Sequence, residues 1–413
     1  MKNGWTGGQY SLFRIVLGAY LFVHFAQLAP WGAEVFSSSG VLPLARLSPL
    51  AHLFPNVFAL CDAPAFVTGC LLGGAALAAL FASGWADRIA AVALWYLWAC
   101  LFGRNPLIAN PGLPYVGWIL LAHAFLPGAP YGSLAARGRV DPRGGWRMPA
   151  PIFAAAWILM ALGYTYSGWT KLVSPSWIDG SAIARVLQNP LARPGALRHL
   201  MMIIPAPLLR AATWAALGLE LAFAPLALWR RARPWIWLAM VGLHLSLLAL
   251  LDFTDLSLGM IMLHLFTFDP GWIRPAGRGV TETVFYDGGC GLCHRAVRFI
   301  LAEDLAGDRF RFSPLGGETF AAAVPERERR TIPDSLVVQA ADGRLLTRSE
   351  GVRHIMGGLG GLWRLAAIAS AAVPGAVLNR LYDFIARIRS RIFSAPKDVC
   401  PILPAELRAR FLP

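Results

Sequence analysis

Successive apolar runs dominate the N-terminal part of the chain. A transmembrane helix needs about 20 predominantly apolar residues. Runs of or near that length, with boundaries uncertain by several residues, lie at 10–29, 57–82, 86–102, 113–127, 151–170, 207–229, 235–251 and 256–269. The third, fourth and eighth runs are short, so tilt, merging or a re-entrant segment would change the count. The pattern predicts a multi-pass α-helical membrane bundle of about eight helices.

The orientation of the bundle is predicted by where lysine and arginine collect, because short cytoplasmic loops retain positive charge. With the N-terminus inside, the inner loops carry eleven of these residues and the outer loops carry six. The first apolar run contains Arg14 and His24 and lacks a small-residue cleavage site, so we interpret it as a transmembrane helix rather than a cleavable signal. We therefore expect a bacterial inner or plasma membrane protein whose N-terminus and residues after about Pro275 are cytoplasmic.

The composition agrees with a lipid environment. Hydrophobic residues make up 56% of the 413 residues and charged residues 15%, against about 25% charged in soluble domains. The formal net charge is +14, which could suggest a nucleic-acid partner. The basic residues, however, lie in loops beside apolar runs and in the C-terminal third, where membrane orientation and anionic lipid headgroups explain them better. We expect the lipid bilayer, and no nucleic acid, as a partner.

A change of pattern near residue 281 predicts a second domain. Short β-type runs, "TVFYD", "RFRFSPL" and "SLVVQAADGRLL", alternate there with helical stretches and turn signals. We therefore divide the chain into a membrane domain at 1–275 and a soluble domain at 276–413.

Within the membrane domain, the segment 171–205 is too long for a tight turn. It carries Trp177, Ile183 and Leu187 at roughly helical spacing. We expect an amphipathic interfacial helix there on the outer face.

Cys290 and Cys293 form the one regular cysteine pattern, in "TVFYDGGCGLCHRAV". A strand followed by Cys-x-x-Cys at the start of a helix is a redox arrangement, because helix N-terminal N–H groups and the positive dipole end stabilise a thiolate. Cys290 is then the attacking nucleophile. Cys293, one turn into the helix, closes on Cys290 and releases a mixed disulfide.

Other interpretations of these residues stay open. A structural zinc site would need two further ligands, and neither His294 nor the distant Cys400 completes a set readily, so we expect no metal. Cys290 and Cys293 could also be inert core residues. Asp287 either closes an Asx turn before the two glycines or handles a proton for the buried thiol.

Several motifs in order resemble one family. "YDGGCGLC" is followed by "FSPL", by "DSLVV" with "DGRLL", and by "LYDFIARIRSRIF". This series resembles the DCC-type thiol-disulfide oxidoreductases (DUF393), whose Asp, Cys and Cys stand here as Asp287, Cys290 and Cys293. The resemblance covers about 281–402. It implies a thioredoxin-like α/β domain and dithiol exchange through a redox-active disulfide.

Pro333 is a candidate site residue because it precedes a β-type run in "TIPDSLVVQ". A thioredoxin-type fold keeps a cis-proline beside its thiol pair at this position. We therefore predict a cis bond between Ile332 and Pro333. The alternative is an ordinary proline at the entry to a strand, since X-Pro bonds are cis only about 5% of the time.

Placing an ionisable side chain in lipid costs free energy, so the ionisable residues inside apolar runs are functional candidates. They are Arg14, His24, His123, Glu220, His244 and His264. Glu220 is expected to face inward and to pair with a histidine or with Arg14. A neutral histidine can simply hydrogen-bond to a neighbouring helix.

Lys171 ends the fifth apolar run in "YTYSGWTKLVSPSWIDG". A lysine in a partly dry setting can act as a base, whereas one at an interface is often a snorkelling anchor. The stretch resembles the HTTM membrane domain shared with vitamin K-dependent γ-carboxylases, over about residues 8–272. That resemblance implies that Lys171 is the base that deprotonates a vitamin K-like hydroquinone. It also makes cofactor-binding candidates of four residues, Arg14, Trp177, Glu220 and His244.

Three functions follow from these observations. In the first, the thiols supply electrons to a quinone-like or lipid-bound reaction in the membrane domain, and a mobile lipid carrier crosses about 30 Å of hydrocarbon. In the second, the protein is a γ-carboxylase-like enzyme that acts on a small peptide with Lys171 as base. In the third, it is a non-enzymatic transporter or scaffold with a thiol sensor. A quinone or lipid-like molecule is the expected small-molecule partner, and a peptide or protein thiol is a further candidate.

Overall fold

The computed structural model describes residues 3–50, 53–277, 279–393 and 403–413, and Cys400 lies outside the described residues. The chain divides into two compact units. The first comprises Ile15–Leu126 and Pro149–Phe268, and the second comprises Lys2–Arg14, Pro127–Met148 and Asp269–Pro413, as far as these ranges are described. The last change of unit, at residue 269, lies close to the predicted division at 275. The segments Lys2–Arg14 and Pro127–Met148 also belong to the second unit, as far as they are described. A single boundary along the chain therefore cannot separate the two units.

Helices build the first unit. They are α1 (Gly7–Leu28, which begins in the second unit), α2 (Gly32–Phe36), α3 (Val57–Leu60), α4 (Pro64–Ser83), α5 (Asp87–Arg104), α6 (Gly112–Ala124), α7 (Ala150–Lys171), α8 (Pro175–Ile178), α9 (Ala182–Gln188), α10 (Ala196–Met202), α11 (Ala206–Leu228), α12 (Arg233–Leu250) and α13 (Thr254–Thr267). Each predicted apolar run overlaps one of the longer helices, because such runs favour a structure that satisfies every backbone group internally.

Five candidate spans in the described chain are long and apolar enough to cross a membrane. They are Gly7–Phe36, α4, α7, α11 and α12, while α6 and α13 are apolar but shorter. Eight crossings therefore stay a prediction. The run predicted at 57–82 is interrupted, since α3 ends at Leu60 and α4 begins at Pro64. Proline has no N–H to donate to the preceding turn and is favoured at the first position of a new helix.

The single interfacial helix predicted over 171–205 is wrong. The structure has three short helices there, α8, α9 and α10. The breaks follow from residues that cannot continue a helix: Gly180 has φ +79° and Gly195 has φ +152°. Pro190 and Pro194 also fall between α9 and α10. The apolar residues of this segment therefore lie on separate short helices rather than on one continuous helix.

The second unit contains all four strands that the structure describes. Its elements are β1 (Glu282–Tyr286), α14 (Gly291–Glu303), β2 (Phe310–Pro314), α15 (Glu318–Ala323), α16 (Glu326–Arg329), β3 (Val337–Gln339), β4 (Leu345–Thr347), α17 (Arg348–Leu359), α18 (Gly361–Ser370), α19 (Gly375–Ile392) and α20 (Ala405–Arg408). The sheet order is β2-β1-β3-β4. β1 is parallel to β2 and antiparallel to β3, and β3 is antiparallel to β4.

Both faces of this sheet are covered by apolar side chains. Val284 pairs with Phe312 on one side and Val338 on the other, and all three are fully buried. They share a core with Val297 and Ile300 of α14. One face of α14 is therefore apolar and packs on the sheet. A second cluster covers the opposite face of the sheet, consisting of Phe285, Val337, Phe320 and Val324.

Candidate functional site

The two cysteines lie at the junction between β1 and α14. Cys290 is the N-cap residue of α14, and its Sγ accepts a hydrogen bond from the Cys293 backbone N–H at 3.4 Å. Both are free thiols, and their residues are only 9% and 6% exposed. The predicted order of strand, thiol pair and helix is therefore confirmed. A sulfur at this position faces the unpaired N–H groups and the positive end of the helix, which stabilise a thiolate.

The loop before Cys290 is an Asx turn. Oδ1 of Asp287 accepts a hydrogen bond from the Gly289 N–H at 2.9 Å, and the Cys290 N–H donates to the Asp287 carbonyl at 3.2 Å. The ring Nε2 of His294 lies 2.9 Å from the Gly288 carbonyl. These contacts hold the turn that places Cys290 at the helix start. They show the turn function of Asp287, while its role in proton handling stays a prediction.

Arg389 of α19 is the charged partner of the thiol pair, and the sequence analysis missed it. Its Nη1 lies 3.9 Å from Sγ of Cys293. Its Nη2 donates to Oδ1 of Asp334 at 2.7 Å and lies 3.4 Å from Oδ2 of Asp287. The guanidinium thus joins one thiol to two carboxylates. The sequence feature that pointed to Arg389 was the "LYDFIARIRSRIF" motif, which contains it. Four arginines lie between residues 380 and 391, however, and nothing in their order distinguishes Arg389 from the others.

The environment of Cys293 disfavours its ionised form. Burial raises the pKa of Cys293 to about 12, and its hydrogen bond to Cys290 and the charge of Cys290 act in the same direction. The nearby Arg389 opposes this rise. Cys293 is therefore protonated at physiological pH, which suits a resolving thiol that reacts second.

The Ile332–Pro333 prediction is wrong, because every peptide bond of the described residues is trans. Trans is the more stable isomer for X-Pro bonds unless the surroundings select cis. Pro333 does not lead directly into a strand, since β3 begins at Val337. The intervening residues include Asp334, which contacts Arg389, and Leu336, whose N–H donates to the Tyr382 hydroxyl at 3.0 Å.

Comparison with known proteins decides the family. The profile of the DCC1-like thiol-disulfide oxidoreductases matches residues 284–395. A protein of Bacillus subtilis (strain 168), named "Uncharacterized protein YuxK", is 32% identical over 132 residues, which cover 32% of this chain and 94% of that protein. The chain belongs to the DCC1-like thiol-disulfide oxidoreductase family. No solved structure matches the chain. The HTTM resemblance over 8–272 stays a prediction.

The DCC1-like domain has an apolar cavity beside its second thiol. The cavity has a volume of about 390 Å³, and Cys293 and Arg389 both line it. Its apolar walls come mainly from α14, α17 and α19: Leu292, Ala296, Leu336, Met356, Leu381 and Ile385. An apolar molecule therefore fits next to Cys293 better than a highly charged one.

Whether the thiols could ligate a metal depends on the side chains that the described residues bring near them. Within residues 3–50, 53–277, 279–393 and 403–413, no group of three or more His, Cys, Asp or Glu side chains is arranged to hold a metal ion. The His294 ring is engaged with the Gly288 carbonyl rather than with sulfur.

In the first unit, the structure brings Lys171, Glu220 and Trp177 together. Nζ of Lys171 donates to Oε1 of Glu220 at 2.5 Å, also contacts Oε2, and donates to Oγ of Ser167 at 2.9 Å. It also lies 4.8 Å from the centre of the Trp177 ring. The predicted partners of Glu220, a histidine or Arg14, are therefore wrong. Because α7 and α11 pack side by side, Lys171 is the nearer cation.

His244 belongs to a different cluster of the first unit. The hydroxyl of Tyr164 lies 2.8 Å from Nε2 of His244 and 2.6 Å from Nε2 of His264. All three side chains are buried. Tyr164 was missed, because a single tyrosine in an apolar run gives no signal of a shared contact. Arg14, also fully buried, is assigned to the second unit, and its Nη1 lies 3.4 Å from Oγ of Ser11.

Proposed function

We propose that the protein is a membrane-bound thiol-disulfide oxidoreductase whose thiol pair supplies electrons to a quinone-like or other lipid-dissolved acceptor. The observation that carries this proposal is the apolar cavity of about 390 Å³ with Cys293 in its wall. A redox thiol that faced only water would suit hydrophilic disulfides. This thiol lines space whose walls are mainly apolar, which favours an apolar molecule over a hydrophilic one.

The domain architecture supports dithiol chemistry. The thiol pair follows β1, which is the parallel partner of β2 and is flanked on its other edge by the antiparallel β3. A strand, the thiol pair, a helix, a parallel strand and a hairpin in this order support a thioredoxin-like arrangement. The family membership of the domain also supports thiol-disulfide exchange.

The reaction balances with the thiol pair as electron donor. Oxidation of Cys290 and Cys293 forms one S–S bond and releases two electrons and two protons. A quinone takes up two electrons and two protons when it becomes a hydroquinone. Cys290, whose Sγ lies against the Cys293 N–H at 3.4 Å, reacts first with an acceptor that extends from the cavity beside Cys293, and Cys293 then gives up its proton and closes the disulfide. A cytoplasmic location, as the loop charges predict, would let cellular dithiols reduce the pair again.

The test uses full-length protein in proteoliposomes with dithiothreitol as electron source and decylubiquinone as acceptor. Quinone reduction is followed by absorbance above the rate of protein-free liposomes. We expect Cys290→Ser to reduce the rate to that background, while Cys61→Ser, which changes an exposed cysteine of the first unit, retains the full rate. Equal rates for Cys290→Ser and the unchanged protein would contradict the proposal.

A second function is favoured by the cluster of Lys171, Glu220 and Trp177. Lys171 acts as a base once it has passed a proton to Glu220, and the Trp177 ring beside it suits a bound aromatic hydroxyl, as in a γ-carboxylase-like reaction. With CO₂, O₂ and a vitamin K-like hydroquinone supplied as co-reactants, oxidation of the hydroquinone would generate the base, one proton would leave the glutamate side chain, and the peptide would gain the mass of one CO₂. We expect Lys171→Ala to abolish that gain and Cys61→Ser to retain it. Absence of carboxylation by the unchanged protein would remove this candidate.

A further inference from the structure

An exposed apolar stripe runs along α18 and α19, which we call the elbow (Gly361–Ile392). Its large apolar side chains are between 38% and 60% exposed: Leu365, Ile368, Val373, Val377, Leu381, Phe384, Ile385 and Ile392. On α19, Val377, Leu381 and Phe384 recur at spacings of four and three, which places them on one helix face. No described residue covers this face, and a patch of this kind marks an interaction surface.

The charge beside the stripe is positive. Arg380, Arg387 and Arg391 are exposed and recur at spacings of seven and four, so they form a row along one edge of the apolar face. The elbow holds five arginines and one acidic residue, Asp383. Asp383 is already paired with Arg348 of α17 at 2.9 Å. The surface therefore suits a partner that is apolar in its interior and negatively charged at its boundary.

The shape of the elbow favours lying on a membrane over crossing it. α18 and α19 are bent by 115° at their junction, so they do not form one straight span. The inner face of α19 is engaged with the rest of the domain, since Tyr382 accepts the Leu336 N–H and Arg389 binds Asp334. An amphipathic helix of this kind buries its apolar face at the boundary of headgroups and acyl chains, with arginines among the phosphates.

We propose that the elbow docks on the surface of an anionic lipid bilayer. The apolar stripe enters the outer part of the acyl layer, and Arg380, Arg387 and Arg391 bind the negatively charged headgroups. A second copy of the chain is a poorer partner, because a symmetric contact would bring the same row of arginines from both copies together. The candidate membrane spans of the chain keep the bilayer close at all times, which raises its effective concentration.

Docking would also give the thiol cavity access to lipid. Leu381 and Ile385 belong both to the exposed stripe and to the cavity wall, so the cavity opens beside the stripe. An apolar acceptor could then reach Cys293 from the acyl layer without passing through water. This consequence rests on the proposed function, whereas docking itself does not.

Photolabelling of the full-length protein tests the docking. The protein is placed in nanodiscs that contain phosphatidylglycerol with a diazirine on its acyl chain, or the matched phosphatidylcholine probe. After illumination, lipid adducts are mapped by peptide mass spectrometry. We expect adducts within 361–392 and within the candidate spans, and none on α16. The yield within 361–392 should be about tenfold higher with phosphatidylglycerol.

Two surface variants sharpen the test. Arg380→Gln/Arg387→Gln/Arg391→Gln removes the charge, and Val377→Asp/Phe384→Asp interrupts the stripe. Both should lose the adducts within 361–392 while the spans stay labelled. Arg327→Gln/Arg330→Gln, at exposed positions of the same unit, should change nothing. An unlabelled elbow beside labelled spans would overturn the proposal, and so would equal yields from the two lipids or unchanged yields in both variants.

The labelling is independent of electron transfer. Cys290→Ser should retain every elbow adduct even though it loses quinone reduction. If the elbow is labelled but no quinone is reduced by the unchanged protein, the docking stands and the proposed function fails. If quinone is reduced but the elbow stays unlabelled, the docking fails and the proposed function stands.

Discussion

Nη1 of Arg389 lies 3.9 Å from Sγ of Cys293, although the two residues are 96 positions apart in the chain. The same guanidinium also binds Asp334 and approaches Asp287. One half-buried cation is therefore shared by two carboxylates and also lies within reach of any negative charge that forms on Cys293. The guanidinium opposes the rise in the pKa of Cys293 that burial causes, and it thereby connects a helix near the end of the DCC1-like domain with the thiol pair near its beginning.

Replacing Arg389 should slow oxidation of the thiol pair. In Arg389→Gln, the thiol pair loses the cation that favours its ionised form, and Asp287 and Asp334 lose their shared partner. We expect the rate of disulfide formation with oxidised dithiothreitol at pH 7.5 to fall about tenfold, which corresponds to about 1.4 kcal/mol. Its rise with pH should also shift to higher pH. Arg387→Gln, an exposed position on the same helix, is the matched control. The same loss in both variants would mean that general surface charge, not this contact, controls the rate.

The two thiols should be alkylated in a fixed order. Because the pKa of Cys293 is raised to about 12, it remains protonated and unreactive as the pH rises from 7 to 9. We expect iodoacetamide to modify Cys290 first in this range, measured by peptide mass spectrometry of quenched samples. The exposed Cys61 serves as an internal reference for reagent access. Preferential modification of Cys293 would reverse the assigned roles.

Filling the cavity should separate acceptor binding from thiol chemistry. Ala296 lines the cavity, so Ala296→Phe would occupy part of its volume of about 390 Å³. We expect the KM for decylubiquinone to rise about tenfold or more, since the acceptor loses apolar contact area. The rate of alkylation of Cys290 should stay within about twofold of the unchanged protein. Ala369→Phe, at an exposed position of α18, is the control. An unchanged KM would exclude this cavity as the acceptor site.

Replacing Lys171 should lower the stability of the protein more than replacing Glu220 does. Glu220 is 8% exposed and Lys171 is 21% exposed at the side chain. Lys171→Met leaves a buried carboxylate without a cation, which costs on the order of 3 kcal/mol. Glu220→Gln leaves a lysine that can reach water, so its cost should be smaller.

The double variant Lys171→Met/Glu220→Gln tests whether the two residues act as a pair. It should recover much of the stability lost in Lys171→Met, because no unpaired charge remains. Thermal unfolding in one detergent, with all four proteins compared, measures the coupling. Additive losses would show that the two residues stabilise the unit independently.

The sequence by itself determined the features that depend on neighbours within a few positions. Apolar runs predicted the main helices of the first unit, because backbone groups in lipid must be satisfied within the segment. The spacing of Cys290 and Cys293 after a β-type run predicted their position at the start of α14, because strand alternation and helix capping are local. The local prediction failed where glycine and proline divide 171–205, although those residues were visible in the sequence.

Only the tertiary structure decided which distant residues meet. Arg389 could not be distinguished from its neighbouring arginines until α19 was packed beside α14, and Lys171 became the partner of Glu220 only when α7 and α11 lay side by side. Whether the surroundings of Ile332–Pro333 select the rarer cis isomer likewise cannot be read from the dipeptide, and the observed bond is trans. Periodicity fixes which face of a helix is apolar, but it carries no information about which helix will be its neighbour. Charge pairing across 49 or 96 positions is set by that packing, because a Coulomb interaction depends on distance in space and not on separation along the chain.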